Sequence, residues 1–347
     1  MHPRVSVIIV SWNGRPLLER YLPSVAATLP EWAELILADN HSTDGSIQWT
    51  QEAFPECRIV SLDHNYGYCG GNNRAAREAK GDILLFLNND VKPASGWLEP
   101  LLDAFDREPE LAAAQPKLRS VNEPELFEYA GAAGGFLDRY GYPYCRGRVF
   151  HEIEKDHGQY DEPMDLFWAT GAALAVRASL FRELGGFDER FEFHMEEIDL
   201  CWRLRRGGHR IRCIPESVVY HLGGGSLAMD DPRKAYYNFR NSLYMIWKNA
   251  SPGWLWRRLV VRLLLDGVAG MEALLRGRFA RSWAIFRAHM AFYRALPALH
   301  RHRKQETAWG AQWDDPPTLG NPFLIREFYL RGRRTWSELH PEERARS

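Results

Sequence analysis

Between residues 5 and 90, short apolar runs recur, each ending on a polar cluster and each parted from the next by a stretch of helix length. Val5-Ser6-Val7-Ile8-Ile9-Val10 is β-branched and almost wholly apolar, which predicts a strand buried on both faces. Glu34 to Ala38, Cys57 to Leu62 and Ile83 to Leu87 read the same way, and Pro16 to Ala27, Ser46 to Phe54 and Gly71 to Lys80 between them read as helices. Repeated strand–helix units with short links imply a mostly parallel sheet covered on both faces. In such sheets ligands bind at the carboxyl ends of the strands. The polar clusters stand at those ends: Ser11-Trp12-Asn13, Asp39-Asn40, Asn65 and Asn88-Asn89-Asp90.

Residues 112–158 are rich in Gly, Tyr and Pro and weak in periodicity, which predicts irregular strands and loops. Leu166 to Val176 reads as another buried segment, Leu180 to Leu184 and Glu197 to Arg206 as helices, and Ile211 to Val219 as a late strand ending just before His221. Past Met229 the pattern turns helical, over Lys234 to Lys248 and Trp254 to Leu296, with a further helix from Pro322 to Arg333. The expected organisation is an α/β domain over 1–228 and a helical region over 229–347.

Several classes of protein are disfavoured. The net charge is -1, so no basic field marks a nucleic-acid binder. The five cysteines are odd in number and form no CxxC pair, which argues against a disulfide framework or a zinc knuckle and fits a reducing cytosol. Val5 to Val10 is too short for the apolar core of a signal peptide. No run of about 18 apolar residues exists to span a membrane. The nearest, Leu259 to Leu275, contains Arg262, Asp266 and Glu272.

Five groups have the chemistry for a site, and each has a plainer reading. Asp90 closes an apolar strand, where a carboxylate either binds Mg²⁺ or Mn²⁺ bridging two phosphates or caps the turn Val91-Lys92-Pro93. Asp39 either accepts the N3–H of uracil or thymine, a donor that adenine lacks, or caps the turn that follows. Gly70 and Gly71 either allow close approach of an anion at a helix N-terminus or make a glycine turn. The segment has neither the GK[ST] of a P-loop nor GxGxxG. Glu192, Glu196, Glu197 and Asp199 put four acids in eight positions. Such crowding raises a carboxyl pKa until one acid serves as a base near neutral pH, and it also suits the first turn of a helix. His221 is either a metal ligand or a hydrogen-bonded structural histidine.

Taken in order, VSVIIVSWNG, ADNHSTDGS, NYGYCGGNN, LFLNNDV, TGAALAVRA, GGFDERFEFHMEEIDLCWRLRRGG, VYHLGGGS and YYNFRN resemble the inverting glycosyltransferases of family 2 over residues 4–245. Among its branches the likeness is to bacterial rhamnosyltransferase-type enzymes that build surface polysaccharides. The resemblance implies an α/β GT-A fold, a Rossmann-like mixed sheet flanked by helices, followed here by a C-terminal helical segment. It implies that Trp12 and Asn13 contact the nucleotide, with Trp12 packing on the base, and that Asp39 reads a uracil or thymine edge. Ser11, Asn65, Gly70, Gly71 and Asn89 stand with them as donor-site residues. Asp90 matches the last acid of the family's DxD metal motif, and His221 a histidine that completes the metal site. Glu197 matches the catalytic base, with Glu196 as the alternative. Arg240 and Asn241 match an Arg-Asn pair expected to touch phosphate or acceptor. Two positions depart from the pattern: Asn88 replaces the first acid of DxD, and the base is Glu in place of Asp.

The implied reaction moves rhamnose or another hexose from a dTDP- or UDP-sugar, with a divalent metal, onto a saccharide or lipid-linked acceptor. A different class of function is a non-catalytic nucleotide-sugar-binding or assembly subunit that retains the fold, a reading that Asn88 keeps open. A glycoside hydrolase would need paired carboxylates but no nucleotide-reading Asp39. Trp and Arg interleave with apolar residues from Trp254 to Arg287. Such helices either lie in a membrane interface, here the inner face of the cell membrane, or form a layer packed on the α/β domain or on a second subunit.

Overall fold

The computed structural model describes residues 3–223, 231–308 and 322–341. The chain opens with the expected units: β1 (Val5–Ser11), α1 (Arg15–Ala26), β2 (Ala33–Asp39), α2 (Ser46–Ala53), β3 (Arg58–Ser61), α3 (Gly67–Glu78) and β4 (Ile83–Leu87). β1 to β4 pair in parallel in the order β3-β2-β1-β4. Every residue of β4 is buried, as its unbroken apolar run requires.

After β5 (Val91–Pro93) and α4 (Leu98–Arg107) comes a strand that the sequence pattern hides, β6 (Leu111–Ser120). Its alanines, Gln115, Pro116 and Lys117 carry little strand signal. It forms because tertiary partners satisfy each polar group. Gln115 Oε1 accepts the Thr170 N–H at 2.9 Å, and Lys117 pairs with Asp156 at 3.1 Å and with Asp161. Pro116 lies where the partner strand slips register, between Ile214 and Val218.

A small antiparallel sheet of β7 (Gly135–Leu137), β8 (Pro143–Cys145), β9 (Arg148–Val149) and β10 (Glu152–Ile153) follows. The main sheet is then completed by β11 (Met164–Asp165), β12 (Ala173–Arg177) and, after α5 (Ala178–Glu183) and α6 (Glu196–Arg206), β13 (Arg210–His221). Its full order is β11-β13-β6-β12-β4-β1-β2-β3, with β5 paired to β13. β12 runs antiparallel to both β4 and β6, so the sheet is mixed. His221 is the last residue of β13 and does not follow it.

Three long helices come next: α7 (Pro232–Asn249), α8 (Pro252–Leu275) and α9 (Phe279–Ala308). Asp231 caps α7, its carboxylate accepting the Arg233 N–H at 2.7 Å, with Pro232 at the first helical position. The apolar stretch expected as one helical region is broken between α8 and α9, where Gly277 takes a left-handed φ of 70°. The helix expected over 322–333 is a single wide turn at Arg326–Leu330, followed by α10 (Trp336–Leu339). The 228/229 boundary lies outside the described residues. One buried cluster runs from Ile8 and Phe86 in the sheet to Ile246, Phe292 and Trp336 in the helices. No described helix is long and apolar enough to cross a membrane.

Candidate active site

Parallel register brings the polar strand ends to one edge, with Ser11 opposite Asp39 and Asp39 opposite Ser61. Asp39 is 1% exposed. Its Oδ2 accepts the Ser42 N–H at 3.0 Å, while its buried Oδ1 has no partner among the described residues. Leaving such an acceptor unmet costs on the order of 1–3 kcal/mol, which a ligand N–H would offset. Beside it Trp12 is 57% exposed, a ring open for stacking. Asn13 ties the loop after β1 to the loop after β2. It takes a left-handed φ of 48°, its Oδ1 accepts the Thr43 N–H at 2.8 Å, and its own N–H donates to Ser42 Oγ at 2.9 Å. Asn89 Nδ2 donates to Ser11 Oγ at 3.2 Å, joining the ends of β1 and β4.

The glycine segment differs from expectation. Helix α3 begins at Gly67, so Gly70 and Gly71 lie within its first turns and not in a loop before it. Both are there for close packing. A Cβ on Gly71 would stand 2.8 Å from Val10 Cγ1 and 2.9 Å from Asn40 Nδ2, and one on Gly70 2.7 Å from Tyr66 Cβ. Asn65 Oδ1 accepts the Gly67 N–H at 2.9 Å, an Asx turn that leads into the helix.

Asp90 and His221 meet because β5 pairs with the end of β13, Val91 opposite His221. His221 Nε2 lies 3.0 Å from Asp90 Oδ1 and 3.3 Å from Asn88 Nδ2. The other ring nitrogen, Nδ1, lies 3.2 Å from Glu128 Oε2. Burial alone would depress the imidazole, but Glu128 and Asp90 outweigh it and push His221 up to about 10. Among the described residues no third His, Cys, Asp or Glu joins this pair to make a three-ligand set. Two donors fit Mg²⁺ or Mn²⁺, hard ions that keep one or two carboxylates and complete their shell with substrate phosphates and water. Glu128 puts a second buried carboxylate beside the histidine. It lies in the stretch without periodicity, so nothing in the sequence singles it out.

Glu196 and Glu197 open α6, and Oε2 of each is buried without a partner among the described residues. Burial, then the charge of Glu197, pushes Glu196 well above the carboxylate range, and burial pushes Glu197 up to about 7. Glu197 packs beside Gly171, whose carbonyl accepts the Tyr68 hydroxyl at 2.7 Å. Asp199 anchors α6 to α7. Its carboxylate accepts from Arg203 at 3.0 Å, Lys248 at 2.8 Å and Asn249 at 2.7 Å.

Arg240 is not free to grip a phosphate. Its Nε donates to Asn241 Oδ1 at 2.8 Å, Nη1 to Glu192 at 2.9 Å, and Nη2 to the carbonyls of Arg190 and Phe191 at 3.0 and 2.9 Å. The rings of Tyr236, Tyr237 and Tyr244 stand 5.0–5.3 Å from the guanidinium carbon. Its observed partners are the loop before α6, and the reading of Arg240 as a donor-site contact gives way to one of loop support.

Residues 6–173 match the family described as "Glycosyl transferase family 2". The N-acetylglucosaminyl-diphospho-decaprenol L-rhamnosyltransferase of Mycobacterium tuberculosis is 29% identical over 269 residues, covering 72% of this chain and 86% of that protein. The O-antigen biosynthesis protein RfbC of Myxococcus xanthus is 33% identical over 251 residues, covering 71% of this chain but 19% of that much longer protein. Among solved structures, GalNAc-T7 with UDP, GalNAc and Mn²⁺ superposes with a TM-score of 0.57 at 18% identity, over 72% of this chain and 48% of that one. At that identity the likeness concerns the fold, a GT-A sheet with flanking helices.

Proposed function

We propose that this glycosyltransferase, whose residues 6–173 match glycosyl transferase family 2, transfers a hexose, rhamnose foremost, from a dTDP- or UDP-sugar to a lipid-linked saccharide acceptor with inversion at the anomeric carbon. The observation that carries the donor assignment is the buried, unpartnered Oδ1 of Asp39 beside the open ring of Trp12. That oxygen suits the N3–H shared by uracil and thymine.

Asp90 and His221 would hold the divalent metal, with the Glu128 carboxylate beside the histidine. Such an ion acts as a Lewis acid and offsets charge on a leaving diphosphate. Glu197, with a carboxyl poised near neutral pH, takes the proton of the acceptor hydroxyl. That oxygen bonds to the anomeric carbon as the bond to the diphosphate breaks on the opposite face, and no covalent enzyme intermediate forms. Glu196, pushed well above the carboxylate range by burial and by the charge of its neighbour, is the less suited of the two.

The acceptor class is supported by the helical layer and by the name of the mycobacterial relative, whose acceptor is a diphospho-decaprenol. On α8 the residues Trp256, Val260, Leu264, Val268, Met271 and Leu275 recur at helical spacing, and all are exposed, Trp256 at 66% and Leu275 at 81%. Trp283 and Phe286 of α9 are exposed too. The exposed Arg257, Arg276, Arg278 and Arg287 lie among them. An apolar, tryptophan-bearing face set among arginines matches an anionic bilayer surface in both polarity and charge. In this reading the enzyme sits on the inner face of the membrane that holds its acceptor.

Calorimetry with UDP and with dTDP, each with and without Mn²⁺, tests the donor site. Binding strengthened by metal is expected for at least one nucleotide. Folded protein that binds neither would overturn the donor reading and leave a non-catalytic role in its place.

A further inference from the structure

We infer that Arg240 and Asn241 are positioning residues for transfer: from α7 they lock the loop 191–195 in the conformation that presents Glu197. The inference rests on the reading of Glu197 as the base.

The loop needs such a lock. Glu192, His194 and Met195 have φ of 62°, 67° and 71°, and none is glycine. Residues with a Cβ hold this left-handed region only when surrounding structure compels it. The compelling contacts come from α7. The Asn241 amide donates to the carbonyls of Phe191 at 2.8 Å, Phe193 at 2.6 Å and His194 at 2.8 Å. Arg240 aims that amide, because its Nε–H occupies Asn241 Oδ1 and turns Nδ2 toward the loop. Arg240 also takes the carbonyls of Arg190 and Phe191 and, with the Tyr237 hydroxyl at 2.9 Å, the carboxylate of Glu192.

The two ends of the segment are held from the same helix. Lys248 bonds Asp188 before the loop at 2.6 Å and Asp199 after it at 2.8 Å. The amide of Asp199 in turn bonds the Met195 carbonyl at 2.9 Å, closing the first turn of α6. Glu197 therefore begins its helix from a backbone whose path is dictated some forty-five residues downstream, by Arg240 and Asn241. Both side chains are buried and face the loop, so their effect on the reaction passes through the placement of the base.

The test uses the full-length chain with the donor whose nucleotide binds in calorimetry and a short-chain N-acetylglucosaminyl-diphospho-polyprenol as acceptor probe. The variants are Asn241→Ala, Arg240→Lys, and Glu192→Gln on the exposed side of the loop, which keeps the lock measurable if Asn241→Ala does not fold. Expected for Asn241→Ala is a ten- to hundred-fold fall in kcat with nucleotide Kd within two-fold of wild type. The acid limb of the pH–rate profile should move, and amide exchange should accelerate at 191–197 ahead of the sheet. Arg240→Lys and Glu192→Gln should show the same pattern more weakly. An unchanged kcat and pH limb despite faster exchange would overturn the inference, as would a loss that merely tracks a lowered Tm. Glu197→Gln is measured alongside. If it keeps wild-type turnover, the base reading itself has failed, whatever the Asn241 variants do.

Discussion

The donor-side edge and the base loop solve the same problem, placing a carboxylate with one unmet oxygen, by opposite means. Asp39 is set by its own strand. Parallel register fixes its height in the sheet, and one bond from Ser42, three residues on, fixes its rotamer. Glu197 is set by a strained loop that is stable only under the side chains of a helix that follows the whole sheet. A residue positioned by local backbone tolerates change elsewhere. One positioned by distant side chains inherits every defect in them. Damage near Asp39 should therefore weaken binding and leave chemistry intact, and damage near Glu197 should do the reverse.

The largest expected break in that contrast is Glu197→Gln. Removing a general base costs about 10²- to 10⁴-fold in rate, and the nucleotide Kd should stay at its wild-type value. Lost nucleotide binding in that variant would sink the assignment. Because burial holds this carboxyl up to about 7, kcat/KM should climb as pH rises through about 7 and level off above it. The sign follows from the role, since a base works only once deprotonated and the raised value moves that limb up from the acid range. A profile flat between pH 5.5 and 8.5 would contradict it.

Asp39→Asn should have the next largest effect, and on the other observable. The amide keeps an oxygen for the Ser42 N–H but turns an NH₂ toward the site, leaving the N3–H of the base unmet. A group left unpaired in this way costs about 1–3 kcal/mol, so UDP and dTDP should each bind roughly tenfold more weakly in calorimetry. Turnover at saturating donor should change little. A variant that binds both nucleotides as wild type does would remove Asp39 from base reading.

The same contrast decides what the sequence discloses. β1 to β4 and the polar residues that end them are legible because period, length and strand-end position are local signals. Asp39, Asp90 and His221 are singled out as candidates by that route, and pairing of β5 with β13 then brings the last two together. What escapes is whatever depends on distant partners. β6 is missed because Gln115 and Lys117 look wrong for a strand until Thr170, Asp156 and Asp161 are in place. Glu128 is missed because its segment has no period. Gly70 and Gly71 are noticed but misread, since the clash that demands glycine lies with Val10, Asn40 and Tyr66 and not with a ligand loop. Arg240 and Asn241 are noticed as a pair, but their direction is set by a loop fold that local pattern does not encode.

The smallest effect on chemistry should come from the α8–α9 surface, which the two sites above do not use. This face is separable from the core because Leu255, Leu259, Phe292 and Leu299 bury the opposite sides of the same helices. Deleting the helices would therefore unfold the protein, whereas exposed positions can be changed singly. Trp256→Glu, Leu264→Glu and Trp283→Glu together should leave Tm and turnover of a short-chain, water-soluble acceptor near wild type. Burying one large apolar side chain is worth about 1.5–3 kcal/mol. Three charges on this face should therefore lower co-sedimentation with phosphatidylglycerol vesicles by tenfold or more and raise KM for an acceptor embedded in them. Wild type should also pellet less with phosphatidylcholine alone, since each arginine near an anionic surface adds about 1 kcal/mol. If the triple variant pellets like wild type, the membrane reading fails. If wild type ignores both vesicles but sediments as a dimer that the triple variant splits, the face joins two copies of the chain, and the lipid-linked acceptor loses its structural support while the contrast between Asp39 and Glu197 stands.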